Sequence, residues 1–358
     1  MFDEKHFVPV LKFKQGERNA LQELPEKVLS RITPLIELDA IPADPDTGEN
    51  TKSIDDYLRP IPDYLSECLR DKPFFLDPWL IEDFESTSNG SHPVEVLYSE
   101  FSEYNVNAIP IVSIDRAVSY TSEAIRIAKA KRTLGIRIEG RQLAPSPGLR
   151  IASILDECGL RPSECHLIID LESIEESLFN IQEMVVGMLP TVISNIDSWQ
   201  TYTIVGSSFP QSLGDIPAGI SFLPRLEWKL YKESIDKGKF LNRIPTFGDY
   251  GVNHPFLTEG FDPRKMSASA NIRYTVENEW MILKGHSLKL SGFDQYNELA
   301  YQLTGKPQYL GPDYSAGDKF IDQCSKGGRT GNPSVWRYVG ASHHITFMVD
   351  QLASFHAS

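Results

Sequence analysis

Cysteine is scarce in this 358-residue chain: Cys68, Cys158, Cys165 and Cys324, with no CxxC pair and no zinc-motif spacing. That excludes a disulfide scaffold and a cysteine zinc site, and scattered thiols suit a reducing compartment. Long apolar runs are also lacking. No stretch approaches the ~20 apolar residues of a bilayer span. Met1–His6 has neither the basic region nor the apolar core of a secretory signal. The expectation is a cytoplasmic protein with no membrane association. Positive charge is short as well: 35 Lys and Arg against 49 Asp and Glu, a net −14. Nucleic-acid affinity leans on phosphate neutralisation, so no nucleic-acid partner is expected. Walker A, GxSxG, HExxH and DxDxDG motifs are absent, and no GxGxxG follows the first strand. No cofactor and no metal site is predicted.

What is present is a recurring unit: a short apolar run, a charge or hydroxyl at its end, then a helical segment. Phe7–Lys14 opens the series, ending in Lys12 and Lys14, which project together from a strand of period two. Further strands are predicted at Thr33–Leu38, Pro73–Asp77, Ala108–Asp115, Leu134–Glu139, His166–Asp170, Tyr202–Ser208 and Ile244–Asp249. Several begin at or beside a proline, where the missing N–H costs least. Helices are expected between them: Glu17–Arg31 broken or bent at Pro25, a helix capped by Ser53, one over Val94–Tyr104, and one capped by Thr121 or Ser122. Leu149–Cys158 should end at Gly159, and Ser173–Asn195 should bend or split at Pro190. Leu226–Asp236 alternates like a strand at first, but reads as a helix because the eighth strand follows it.

Eight such units predict a (β/α)8 TIM-like barrel rather than an open doubly wound sheet, whose dinucleotide fingerprint is missing. The barrel would occupy residues 1–250 of a single domain spanning 1–358. A β-hairpin (Ile272–Thr275 and Trp280–Leu283) and helices near Asp294–Leu303, Ser315–Cys324 and His343–Phe355 would be added after strand eight.

Barrel chemistry gathers at the C-terminal ends of the strands. Those ends carry Lys12, Lys14, Glu37, Asp77, Asp115 with Arg116, Arg137 with Glu139, Asp170, Ser207 with Ser208, and Asp249. A single polar strand end is commonly just solvated. Eight of eight suggests a mixed-charge mouth, because a structural mouth can be filled by apolar or small residues. Two readings stay open. The charges satisfy one another as a buried ion-pair network. Alternatively Lys12, Lys14 and Arg137 bind an anion while Glu37, Asp170 or Asp249 serves as base or magnesium ligand. Gly206-Ser207-Ser208 and Gly248 lie where barrels often hold phosphate, although such residues are ordinary loop material too. His343 and His344 point about 100° apart on a helix, so packing or capping suits one of them better than a shared metal. Trp336-Arg337 is either a cover for the mouth or a surface turn.

The segments VPVLKFKQGE, TPLIEL, GSSFPQSL, FGDYG, IRYT with WMILKG, YSAGD and WRYVGASHHIT, in that order, resemble the "beta protein" family of phages and prophages. From those motifs the resemblance singles out Lys12, Lys14, Glu37, Asp249, Arg273, Trp336, Arg337 and His344. It implies a place in phage or prophage cassettes that resemble anti-phage defence or toxin-neutralising systems, with a protein from a neighbouring gene as partner. It implies no particular reaction. The alternative expectation is a barrel enzyme acting on a phosphate-containing small molecule or nucleotide.

Overall fold

Runs of β-branched, leucine and aromatic residues between polar turns form the strands, and the turns carry the chain to the helices outside. The structure, a computed structural model, describes residues 2–44, 46–81, 86–143, 147–193, 195–240, 243–256 and 268–357. In chain order the strands are β1 (Phe7–Leu11), β2 (Leu35–Glu37), β3 (Phe74–Asp77), β4 (Ala108–Ser113), β5 (Leu134–Glu139) and β6 (Cys165–Ser173). They continue with β7 (Thr201–Ser207), β8 (Gly219–Pro224), β9 (Thr246–Asp249), β10 (Ser269–Thr275) and β11 (Glu279–Ser287). Strands β1 to β7 and β9 close into an all-parallel barrel. Closure is made by β1 on β9, with Val8 opposite Gly248. This is the (β/α)8 TIM-like architecture with added elements.

Alternation sorts each strand. Val8, Val10, Leu35, Phe75, Ile109, Ile111, Ile168, Val205 and Tyr250 form one buried cluster inside the barrel. The alternate residues pack outward against the helices in two larger clusters. Two residues beyond the last apolar layer the inward face turns polar: Lys12, Glu37, Asp77, Ser113, Arg137, Asp170 and Ser207 are all buried. The opposite end of the barrel is plugged by neutral groups. His6 bonds Thr33 Oγ1 at 2.9 Å and His166 bonds Thr201 Oγ1 at 2.8 Å. Phe2 stacks on His6, and the His166 ring meets Phe75 edge-on.

The second sheet is three-stranded and antiparallel, in the order β10-β11-β8. The expected hairpin is there as β10 and β11, and β8 joins it from between the last two barrel strands. Gly219–Pro224 mixes exposed and half-buried residues with no buried one, so no buried apolar run marks it. Three helices, Gln295–Thr304, Ala316–Ser325 and Pro333–Phe355, cover this sheet and the barrel flank. The last starts ten residues before the expected His343, with Pro333 at its first turn and Asn332 capping Val335 N–H.

Some boundaries move for local reasons. Pro25 splits the first helix into Gln15–Gln22 and Glu26–Leu29. The helix expected from Thr121 begins at Val118 instead, where Tyr120 anchors the first turn by donating to Ile111 O at 2.6 Å. Ser173 ends β6 rather than capping a helix. Ile174 N donates to Ser207 O, so the capping-like Ser173-Ile174-Glu175-Glu176 continues the ladder, and the helix starts at Phe179 with Pro190 tolerated in its last turn.

Candidate anion-binding site

The deepest polar layer is built around Arg137 on β5. Its Nε and Nη2 donate to Asp170 Oδ2 at 3.0 and 2.6 Å, Nη1 to Asp77 Oδ2 at 2.8 Å, and Nη2 to Glu37 Oε1 at 2.8 Å. Tyr250 OH accepts from Nη2 at 2.7 Å and donates to Asp170 at 2.5 Å. Arg116 Nη1 adds a bond to Asp77 Oδ1 at 3.0 Å. Burial works against the Arg137 charge, but Tyr250, Asp170, Glu37 and Asp77 outweigh it and hold the guanidinium well above its ordinary value. All three of its nitrogens bond protein groups, so Arg137 faces carboxylates rather than an exogenous anion. Glu37, Asp77 and Asp170 are correspondingly committed as its counter-ions. Among the described residues, no group of three or more His, Cys, Asp or Glu is placed to hold a metal ion.

A rim of carboxylates lies one layer out. Glu172, in a left-handed conformation at φ 56°, donates its N–H to Asp170 Oδ1 at 2.9 Å. Burial, then the charges of Asp170 and Glu139, push its carboxyl up to about 7. Arg141 pairs with Glu139 and lies 4.0 Å from Glu172.

Beside this layer opens a cavity of about 130 Å³ whose walls include Lys12, Lys14, Glu17, Asn253, Arg273 and Arg337. These come from three parts of the fold: the end of β1 with the helix after it, the turn after β9, and β10 with the closing helix. Lys12 Nζ donates to Pro255 O at 2.5 Å and to Glu37 Oε2 at 3.5 Å, tying the cavity to the Arg137 layer. Lys14 pairs with Asp39 at 3.2 Å while a third of each side chain is exposed. Phe13 between them sits at φ 52°, a strained conformation that redirects the chain at the mouth. Glu17, 1% exposed, accepts from Lys14 N at 3.2 Å and from Asn253 Nδ2 at 2.9 Å. Burial raises its carboxyl, and Arg337, Lys12 and Lys14 oppose that.

Arg273 Nη1 donates to Val252 O at 2.7 Å and Nε to Asn271 Oδ1 at 3.1 Å, with Phe209 under the guanidinium. Burial, then the like charge of Arg337, pull Arg273 down to about 10. Arg337 makes no hydrogen bond or ion pair with any described residue; its nearest compensation is the field of Glu17. Among the described residues the cavity thus sets four cations beside one buried carboxylate, with Lys12 and Lys14 also paired to Glu37 and Asp39 behind the wall.

The remaining expected residues lie elsewhere. Asp249 falls between the inward-facing Gly248 and Tyr250, so it points out of the barrel. His344 Nε2 donates to its two oxygens at 2.9 and 3.0 Å, and Gly251 N to Oδ1 at 2.8 Å. Thr275 Oγ1 lies 2.9 Å from His344 Nδ1. His344 is lowered by burial and stays neutral, with Nε2 protonated. His343 faces Asp318 and Thr275 O instead, both at 2.9 Å. Trp336 is packed in the core between the second sheet and its helices, stacked on Tyr296 with Nε1 donating to Thr330 O; it does not cover the mouth. Asp115 is exposed and accepts from Gln142. Ser207 Oγ donates to Asn253 O at 3.2 Å and accepts from Phe209 N at 3.1 Å, shaping its own loop. Gly248 offers no phosphate cradle: a Cβ there would lie 2.7 Å from Val8 O, so the glycine permits barrel closure.

Lys12, Lys14, Arg273 and Arg337 therefore converge, whereas Asp115, Ser207, Asp249, Trp336 and His344 do not join them. Tyr250, Glu17 and Asn253 were not singled out from the sequence. Tyr250 was findable, since it lies two residues past Gly248 on an inward face. Glu17 and Asn253 carry no local signal. The family model described as Beta protein matches residues 7–350, barrel and second sheet alike. No curated protein and no solved structure matches the chain.

Proposed function

The chain belongs to the Beta protein family, whose match runs through both barrel and second sheet, and we propose that these parts together form a binding site for a small phosphate-bearing anion. The observation that carries this reading is Arg337. A half-buried guanidinium without a hydrogen bond or ion pair to the described residues lies beside Arg273, Lys12 and Lys14 in a chain of net charge −14. Like charges held together at a cavity are stabilised when an anion enters. Among the described residues Glu17 is the one carboxylate on that wall, and its two oxygens are held by Lys14 N–H and Asn253 Nδ2. Isothermal titration with pyrophosphate at low ionic strength tests the reading. Binding that weakens at least tenfold in Arg337→Gln and falls with added salt supports it. No heat with pyrophosphate or any phosphate ester would count decisively against it.

A second reading, action through a partner protein in a phage-encoded defence or toxin-neutralising system, is favoured by a different feature. Leu178, Ile181, Met184 and Met188 line one face of the helix Phe179–Val192 and its first turn, 43–56% exposed. No charged residue interrupts them, and contiguous apolar surface of this kind suits protein contact. Met184→Lys with Met188→Lys should abolish a complex with the neighbouring gene product while leaving pyrophosphate binding intact; an unchanged complex argues against this face.

A further inference from the structure

We infer that the anion is the phosphate end of a nucleoside di- or triphosphate, with the base lying across the rim of the cavity formed by Phe256, His254, Pro210 and Leu213. This rests on the anion-site reading above and adds to it the chemistry of the remainder of the ligand. The cavity volume of about 130 Å³ is close to the ~150 Å³ of a cavity that holds one benzene ring. That accommodates phosphate groups but not a base and sugar together with them. What projects from the cations must therefore meet the rim, and the rim is chemically unlike the floor. Phe256 is 43% exposed. The His254 ring lies 5.5 Å from it at 54°, two aromatic surfaces at the cavity edge. His254 Nδ1 accepts from Phe256 N at 3.1 Å, which fixes the ring, and burial lowers its pKa so that it is neutral at pH 7.

A neutral aromatic pair beside a cationic floor matches a planar base joined to a polyphosphate. Every base has a π-face, and stacking on an aromatic side chain does not depend on sequence-specific hydrogen bonds. A sugar phosphate has no planar face to lay against Phe256 and His254, so it gains nothing from that aromatic pair beyond its phosphate contacts. Asn253, between floor and rim, has its Nδ2 on Glu17, so its Oδ1 is left for a ribose hydroxyl or the base.

The test is titration of the full chain with ADP, GDP, CDP and UDP, pyrophosphate, and adenosine. At least one nucleoside diphosphate should bind ten times or more tightly than pyrophosphate and adenosine. Phe256→Ala should lower the ratio of nucleotide to pyrophosphate affinity by about fivefold or more, and Phe256→Trp should restore it. Because Phe256 is exposed, both variants are expected to fold, which circular dichroism checks. Equal binding of pyrophosphate and all four nucleotides, with an unchanged ratio in Phe256→Ala, overturns the nucleotide inference and leaves the anion site standing. No binding of pyrophosphate or any nucleotide overturns both.

Discussion

Arg137 shows how a single residue can be legible in place while its role stays open. Period two on β5 puts it at the mouth, and the sequence alone leaves it open as an anion ligand. Its actual partners come from β2, β3, β6 and the turn after β9, which no local pattern reveals. Three carboxylates and a phenol occupy its donors, all within 5% exposure. A buried charge stripped of its partner is far more costly than the pair is worth. Arg137→Met should therefore destabilise the protein by about 3–5 kcal/mol at pH 7. With the cation gone, Glu37, Asp77 and Asp170 face one another and their carboxyls rise, so the native state holds extra protons. Stability lost to the substitution should thus be partly recovered as pH falls from 7 to 5. Urea midpoints at the two pH values check this; a deficit that is the same at both would mean the carboxylates are not mutually close in the variant.

At the scale of elements, the closing helix Pro333–Phe355 decides which of the sequence's polar residues act together. It sends Trp336 into the core between the second sheet and its helices, Arg337 into the cavity, His343 to Asp318 and His344 to Asp249. Successive residues diverge around the helix, so a motif such as WRYVGASHHIT supplies four unrelated contacts rather than one site. Asp249 was legible as a strand end but not as an outward one. That depends on Gly248 facing in, which Val8 O and Val205 enforce by close approach. The structural role makes a prediction opposite to a catalytic one. Asp249→Asn should cost about 1–3 kcal/mol through the weakened His344 and Gly251 bonds. In the folded variant, pyrophosphate affinity should stay within twofold of the parent. A selective loss of affinity at unchanged melting temperature would return Asp249 to the site.

For the molecule as a whole, the barrel was legible because eight apolar runs with polar ends admit few closed solutions. The joining of β8 to the second sheet was not, since its side chains are half exposed and its partners lie some 60 residues on. The barrel's two ends also differ: charged side chains fill the C-terminal layer, whereas His6 and His166 plug the N-terminal one. At the N-terminal plug, burial drops His6 and His166 to about 4 from 6.5, so both fold neutral. As pH falls below 6.5 the unfolded chain takes up protons that the native plug refuses, and each histidine then lowers stability. By pH 5 that amounts to about 2 kcal/mol per site. Raised carboxylates push the other way over the same range: Glu172, up to about 7, and Glu17 and Glu227 bind protons more readily when folded. The net acid profile of the parent is therefore a difference of opposing contributions and diagnoses neither. A variant comparison isolates the plug. His166→Gln lacks the titrating group while keeping a donor for Thr201, so its stability relative to the parent should improve by about 2 kcal/mol between pH 7.5 and pH 5. Urea denaturation of the two proteins side by side measures that difference. If the gap between them does not change with pH, the plug histidines titrate alike in both states, and the neutral N-terminal end of the barrel is misassigned.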